Sequence, residues 1–180
     1  MGYETETKVL GVDKEAVAKA LKSIGASKVL DTRYSVDWFR VKGVKEGEDL
    51  WYLRIRRKSN GPAEVTWKGK SDKLGVSRKH KEINFSIAEP DELAALFAEL
   101  GLELYAHQDK DRISWTYKDW RFDLDQYPGM DAYLEIEGIS ETHIQEAIQM
   151  LNLNDHETSA EGERVLIQKK YGLDWYSMRF

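Results

Sequence analysis

The chain contains no cysteine, which excludes disulfides, thiolate metal ligands and cysteine nucleophiles. Proline is scarce, at three residues, and no Ser/Gly-rich linker interrupts the sequence, so residues 1–180 read as one domain. No apolar run is long enough to cross a bilayer, so no membrane partner is expected. The stretch Met1 to Val9 is polar and charged, unlike a signal peptide, and a cytoplasmic location is the default expectation. There is no basic excess: 27 Lys and Arg stand against 32 Asp and Glu, a net charge of −5. A broad surface for duplex nucleic acid is therefore not indicated, and any anion binding must come from a local cluster of cations. No glycine-rich phosphate loop occurs.

Periodicity supplies the elements. Residues 3–10, 27–41, 49–58, 63–70, 76–88, 103–117, 119–126 and 132–138 are rich in β-branched and aromatic residues and read as strands. Turns carry Gly43, Gly47, Asn60-Gly61 and Gly75. Helices are expected over 13–24, capped by Asp13 and stopped by Gly25, and over 91–100, opened by Pro90. A third helix spans 140–151, with Ser140 and His143 forming a variant capping box. One short helix is expected within 162–180.

The strands share an unusual charge pattern. Residues two apart in a strand face one side. Glu4, Glu6 and Lys8 therefore share a face, as do Arg54 and Arg56, Lys68 and Lys70, and Arg78, His80 and Glu82. The same holds for Lys110 and Arg112, Asp123 and Asp125, and Glu135 and Glu137; the other face of each strand is mostly apolar. A charged face is usually a solvent face. Here, however, acidic and basic pairs are sorted onto different strands, and like charges two apart repel. Carboxylates at this spacing suit Mg²⁺ or Mn²⁺, and paired Arg and Lys suit phosphate oxygens. With the helices covering the apolar faces, the expected fold is α+β: a closed eight-stranded antiparallel β-barrel with a charged interior and helices packed outside.

The segment Glu4-Thr5-Glu6-Thr7-Lys8 matches the ExExK signature of the CYTH domain, the triphosphate tunnel metalloenzymes. Leu53-Arg54-Ile55-Arg56, Thr66-Trp67-Lys68-Gly69-Lys70, the Arg78 to Glu82 strand, Lys110-Asp111-Arg112 and Leu134-Glu135-Ile136-Glu137 follow in the family's order. The resemblance covers roughly residues 3–138. It implies an eight-stranded tunnel of the kind found in inorganic triphosphatases, thiamine triphosphatases and class IV adenylate cyclases. It implies Mg²⁺ or Mn²⁺ at Glu4, Glu6, Asp125, Glu135 and Glu137, with Asp123 weighed below Asp125. It implies phosphate binding by Lys8, Arg54, Arg56, Lys68, Lys70, Arg78, Lys110 and Arg112, and catalysis by Glu4, Glu6, Lys8 and Glu82. The family's Ser-Tyr pair before a terminal helix is not matched, because Ser159 lacks the tyrosine.

Three functions compete. The favoured one is metal-dependent hydrolysis of a triphosphate, inorganic or organic. The second is a class IV adenylate cyclase making cyclic AMP and pyrophosphate from ATP. The third is a non-catalytic polyphosphate- or nucleotide-binding module, which would have little use for two acidic strands. His80 reads as structural, and His107, His143 and His156 as solvated. Trp51, Trp67 and Trp115 read as core. A homodimer suits a domain of this size.

Overall fold

A computed structural model describes the backbone of residues 2–45, 48, 50–70, 72–74 and 77–180, and the side chains of 5–45, 48, 50–70 and 81–180. The turns expected at Gly47 and Gly75 lie outside the described residues. The fold is α+β, with eleven strands in one sheet and four helices among the described residues. In chain order these are β1 (Gly2–Leu10), α1 (Lys14–Ser23), β2 (Ser27–Val41), β3 (Trp51–Lys58), β4 (Ala63–Gly69), β5 (Asp72–Leu74) and β6 (Ser77–Ile87). They continue with α2 (Pro90–Glu99), β7 (Leu102–Tyr117), β8 (Trp120–Gln126), β9 (Tyr133–Gly138), α3 (Glu141–Met150), β10 (Thr158–Ser159), α4 (Glu163–Tyr171) and β11 (Ser177–Met178). The eight long strands and the first three helices follow the sequence periodicity. The strands β5, β10 and β11 were not expected, since two or three residues are too few to establish a period.

Antiparallel pairing runs in the order β1, β9, β8, β7, β2, β3, β4, β6. β1 also meets β6, in register from Gly2↔Glu82 to Glu6↔Arg78, while its second half borders β10. β5 lies beside β6, and β11 adds to β7 in parallel.

Strand alternation divides the side chains between two faces. On the face away from the cavity, Val9, Trp115, Phe122, Leu124, Leu134 and Ile136 pack with Val17 and Leu21 of α1 and Ile144, Ala147 and Ile148 of α3. Both helices start on side-chain caps: Asp13 accepts from the Ala16 N–H at 2.8 Å, and Ser140 from the His143 N–H at 3.2 Å. His143 Nδ1 accepts from the Ile139 N–H at 3.3 Å, so the imidazole reaches back one residue beyond the cap. α2 covers Phe39, Ile55 and Val65 with Leu93 and Phe97, leaving Leu96 and Leu100 exposed.

The histidines and tryptophans refine the sequence expectations. His143 is stacked on Trp120 with ring centroids 4.0 Å apart. His107 Nδ1 lies 2.7 Å from Asp37, and His156 Nδ1 lies 3.0 Å from the Leu10 carbonyl. All three are thus engaged, not merely solvated, because strand pairing and packing bring distant partners beside them. Trp115 is core as expected, while Trp51 and Trp67 are half-buried. The side chain of His80 lies outside the described residues.

Candidate functional site

One wall of a cavity of about 580 Å³ is cationic. On β3, Arg54, Arg56 and Lys58 alternate with Leu53, Ile55 and Arg57 and turn to the cavity. β4 adds Glu64 and Lys68, and β6 adds Glu82 and Asn84, held opposite by the register Lys68↔Glu82 and Thr66↔Asn84. Neutralisation along this wall is uneven. Lys68 lies 2.7 Å from Glu82, and Glu64 takes both Lys58, at 2.5 Å, and Arg56, at 3.2 Å. Arg54 is buried and forms no ion pair with a described residue. Its guanidinium lies 5.2 Å from the Trp38 ring centre, and its Nε has no hydrogen-bond partner. Burial, followed by repulsion from Arg54, lowers the Arg56 pKa to about 10.

The facing wall comes from β7, β8 and β9 with β1 and is closely compensated. Arg112 binds Asp123 at 2.5 Å, donates from Nε to Asp125 at 2.5 Å, and reaches Glu135 at 3.3 Å. Lys110 lies 2.8 Å from Asp125, and Lys8 lies 2.9 Å from Glu135. Burial disfavours the Glu135 carboxylate, but Lys8 and Arg112, then Lys110 and Lys68, outweigh that and hold its pKa well below the usual range. Asp123 is likewise lowered against burial by Arg112 and Arg121. Burial alone would lower the Arg112 pKa, yet Asp123 and Asp125 raise it well above its ordinary value.

Where β1 lies beside β9, carboxylate oxygens of Glu6, Glu135 and Glu137 fall within 4.8 Å of one another. Three convergent carboxylates are hard oxygen donors of the kind that Mg²⁺ and Mn²⁺ prefer, so the donor set fits either ion.

The C-terminal segment fills one end of the cavity. Leu166 and Ile167 of α4 pack, together with Trp175 and Met178, against Tyr34, Val36, Trp38, Ala106, Tyr127 and Tyr133. Residues Ala160 to Val165 line the cavity. Glu163, the first residue of α4, accepts from Lys110 Nζ at 2.6 Å, Tyr127 Oη at 2.7 Å and Tyr133 Oη at 2.9 Å. Burial would raise its pKa, but Lys110 above all holds it well below the carboxylate range. Burial, with Glu163 and Asp125 nearby, keeps both tyrosines well above their ordinary pKa.

The structure gathers most of the residues singled out by sequence. Arg54, Arg56, Lys68, Glu82, Arg112, Asp123, Glu135 and Glu137 line the cavity. Glu6, Lys8, Lys110 and Asp125 form a buried layer paired with the lining residues. Asp125 departs from the expected metal-ligand role: its oxygens are occupied by Arg112, Lys110 and Tyr133, and it stands apart from the three-glutamate cluster. Lys70 departs as well. β4 ends at Gly69, which leaves Lys70 exposed and outside the cavity lining. The side chains of Glu4 and Arg78 lie outside the described residues; their backbones pair with His80 and Glu6 respectively.

Sequence reasoning missed Lys58, Glu64 and Arg121, all on the cavity wall. Extending the two-residue period by one step on β3 and β8, and by two on β4, would have found them. Tyr34, Trp38, Tyr127, Tyr133 and Glu163 carried no such signal.

An inward-facing cationic wall and a cluster of carboxylates give this β-sheet protein a charged interior. A CYTH domain profile matches residues 2–164, and the chain belongs to the CYTH domain family. Among curated protein sequences none matches it. Among solved structures, the PH1012 protein from Pyrococcus horikoshii OT3 is 21% identical, with a TM-score of 0.71 over 86% of this chain and 94% of that one. A conserved hypothetical protein from Pyrococcus furiosus is also 21% identical, with a TM-score of 0.73 over 89% of this chain and 97% of that one. HpAC1 from Hippeastrum, described as having a dominant triphosphatase activity, is 11% identical, with a TM-score of 0.69 over 93% and 96%. At these identities the likeness is one of fold.

Proposed function

We propose that this protein hydrolyses a triphosphate, inorganic or organic, with a divalent cation, inside a tunnel formed by its eight long strands. The pairing of β1 with both β9 and β6 supports the tunnel. The observation that carries the reaction is the contrast between the walls: Arg54 forms no direct ion pair with a described residue and feels Glu163 only at longer range, Arg56 is pushed down to about 10, and three glutamates cluster on the other wall. Burying cations without partners is costly, and a phosphate chain is the anion that fits a row of them.

Arg54, Arg56, Lys68 and Arg112 would grip the phosphate oxygens and neutralise the charge that builds as the anhydride breaks. Glu6, Glu135 and Glu137 would hold Mg²⁺ or Mn²⁺. Once bound, the cation supplies further charge neutralisation and orientation of the phosphates. Lys8 and Arg112 fix Glu135, and Glu82, set by Lys68, is the carboxylate that would orient the attacking water. Hydrolysis is preferred to cyclisation because water needs no nucleoside site. The dominant triphosphatase activity described for HpAC1 agrees with that preference.

The test is a panel of tripolyphosphate, ATP, thiamine triphosphate and pyrophosphate with Mg²⁺ or Mn²⁺, with phosphate, pyrophosphate and cyclic AMP measured separately. Metal-dependent phosphate release from a triphosphate is expected. Cyclic AMP from ATP would favour the cyclase, and binding without turnover the non-catalytic module. Glu6→Gln should abolish the metal-dependent rate while preserving the melting transition; a wild-type rate at ordinary metal concentration would remove Glu6 from the metal site.

A further inference from the structure

The C-terminal segment brings a carboxylate to a set of donors that the proposed reaction does not otherwise use. Glu163 stands on the cavity wall, while Lys110, Tyr127 and Tyr133 lie behind it, outside the lining. All three reach its two oxygens at 2.6–2.9 Å, Lys110 and Tyr133 at Oε1 and Tyr127 at Oε2, with Lys110 and the single Tyr133 hydroxyl proton shared with Asp125 at longer range. One cation and two hydroxyls converging on two oxygens make an anion site, and here the anion is the protein's own Glu163, with Asp125 behind it on Lys110 and Tyr133. The carboxylate is firmly seated, because α4 is anchored by Leu166 and Ile167 among Tyr34, Val36, Trp38 and Tyr133. The chain beyond it is fastened by the Gln108 amide donating to the Trp175 carbonyl at 2.5 Å and by β11 on β7.

We infer that Glu163 is the end stop of the phosphate-binding row: its carboxylate occupies the position on Lys110, Tyr127 and Tyr133 that one further phosphate would take, and so limits how long a phosphate chain the cavity accepts. This rests on the proposed triphosphate reading and assigns that site its specificity-determining residue. Phosphates lying along Arg54, Arg56 and Arg112 would meet a fixed negative charge at α4 instead of the next row of donors. Like charges in a dry site repel strongly, so a longer chain gains no contact there and is repelled. The substrate class is thus a short phosphate chain entering from the end opposite α4, and long polyphosphate cannot thread through.

The experiment compares tripolyphosphate and tetrapolyphosphate binding by calorimetry in the wild type, Glu163→Ala and Glu163→Ser. Serine is well tolerated at a helix start and guards against a variant that simply unfolds; a retained cooperative melting transition checks both. In the wild type the two chains should bind with similar affinity, or the shorter one more tightly. In both variants the ratio should move toward tetrapolyphosphate by about tenfold, the scale of one charge-assisted contact. An unchanged ratio in a folded variant that still binds tripolyphosphate overturns the end stop and leaves the triphosphate reading standing. A wild type that binds neither chain defeats the triphosphate reading instead. A second arm then still tests the anion site: phosphate at fixed ionic strength should raise the melting temperature of the variants more than that of the wild type, and equal shifts would overturn it.

Discussion

The two walls of the cavity use the same residue types to opposite ends. On β7, β8 and β9, Arg112 is bound by Asp123, Asp125 and Glu135, and Lys110 by Asp125 and by Glu163 of α4. On β3 and β4, Arg54 and Arg56 have Glu64 as their one ion-pair partner among described residues. The first wall raises the pKa of its arginine and the second lowers it. A compensated network holds its own geometry, whereas an under-compensated one is poised for an external anion. Charge content is alike on the two walls and local neutralisation differs, so Arg112, which lines the cavity, is also held in place by its own carboxylates.

The largest expected effect breaks the compensated wall. Arg112→Ala leaves Asp123 and Asp125 buried with less positive charge and should cost about 3–5 kcal/mol in urea unfolding. A loss below about 1 kcal/mol would mean that the network is not structural. The under-compensated wall should respond in binding instead. Arg56→Ala should weaken tripolyphosphate binding by on the order of 2–4 kcal/mol in calorimetric titration. Arg57→Ala should leave affinity unchanged, since Arg57 lies on the opposite face with Asp37 and Asp91. Equal effects at the two positions would erase the distinction between faces.

Next in size is ligand stabilisation. Tripolyphosphate at a hundredfold excess over its dissociation constant should stabilise the fold by about 2.7 kcal/mol, and by more with Mg²⁺. Sulfate at matched ionic strength should do much less, and coincident melting curves would indicate mere screening of an exposed surface. The smallest effect concerns pH. Glu163 is held well below its ordinary 4.5, so the folded state binds fewer protons than the unfolded one just below that pH. Its stabilisation is present above pH 4.5 and is lost as pH falls through the folded-state value. Between about pH 5 and pH 3 the wild type should therefore lose stability more steeply than Glu163→Gln, by at most one proton, about 1.4 kcal/mol per pH unit. Parallel slopes would show that Glu163 is not held low.

The amino-acid sequence by itself determined the long strands, the first three helices and the sharing of a face by Arg54 with Arg56 and by Glu135 with Glu137. These follow from periods of 2 and 3.6 residues, which are local properties of the chain. It also carried the family signature through Glu4, Glu6 and Lys8. Only the tertiary structure decided which charges are neutralised. Asp125 and Glu137 look alike in sequence, yet register brings Arg112 and Lys110 onto one and leaves the other beside Glu6 and Glu135. The same holds for β2, where the apolar Tyr34, Val36 and Trp38 turn to the cavity side while Asp37 pairs with Arg57 and His107 on the other face. That inversion exists because α4 fills this end of the cavity. Glu163 reaches Lys110 across 53 residues of chain through packing, a relation that no local period encodes.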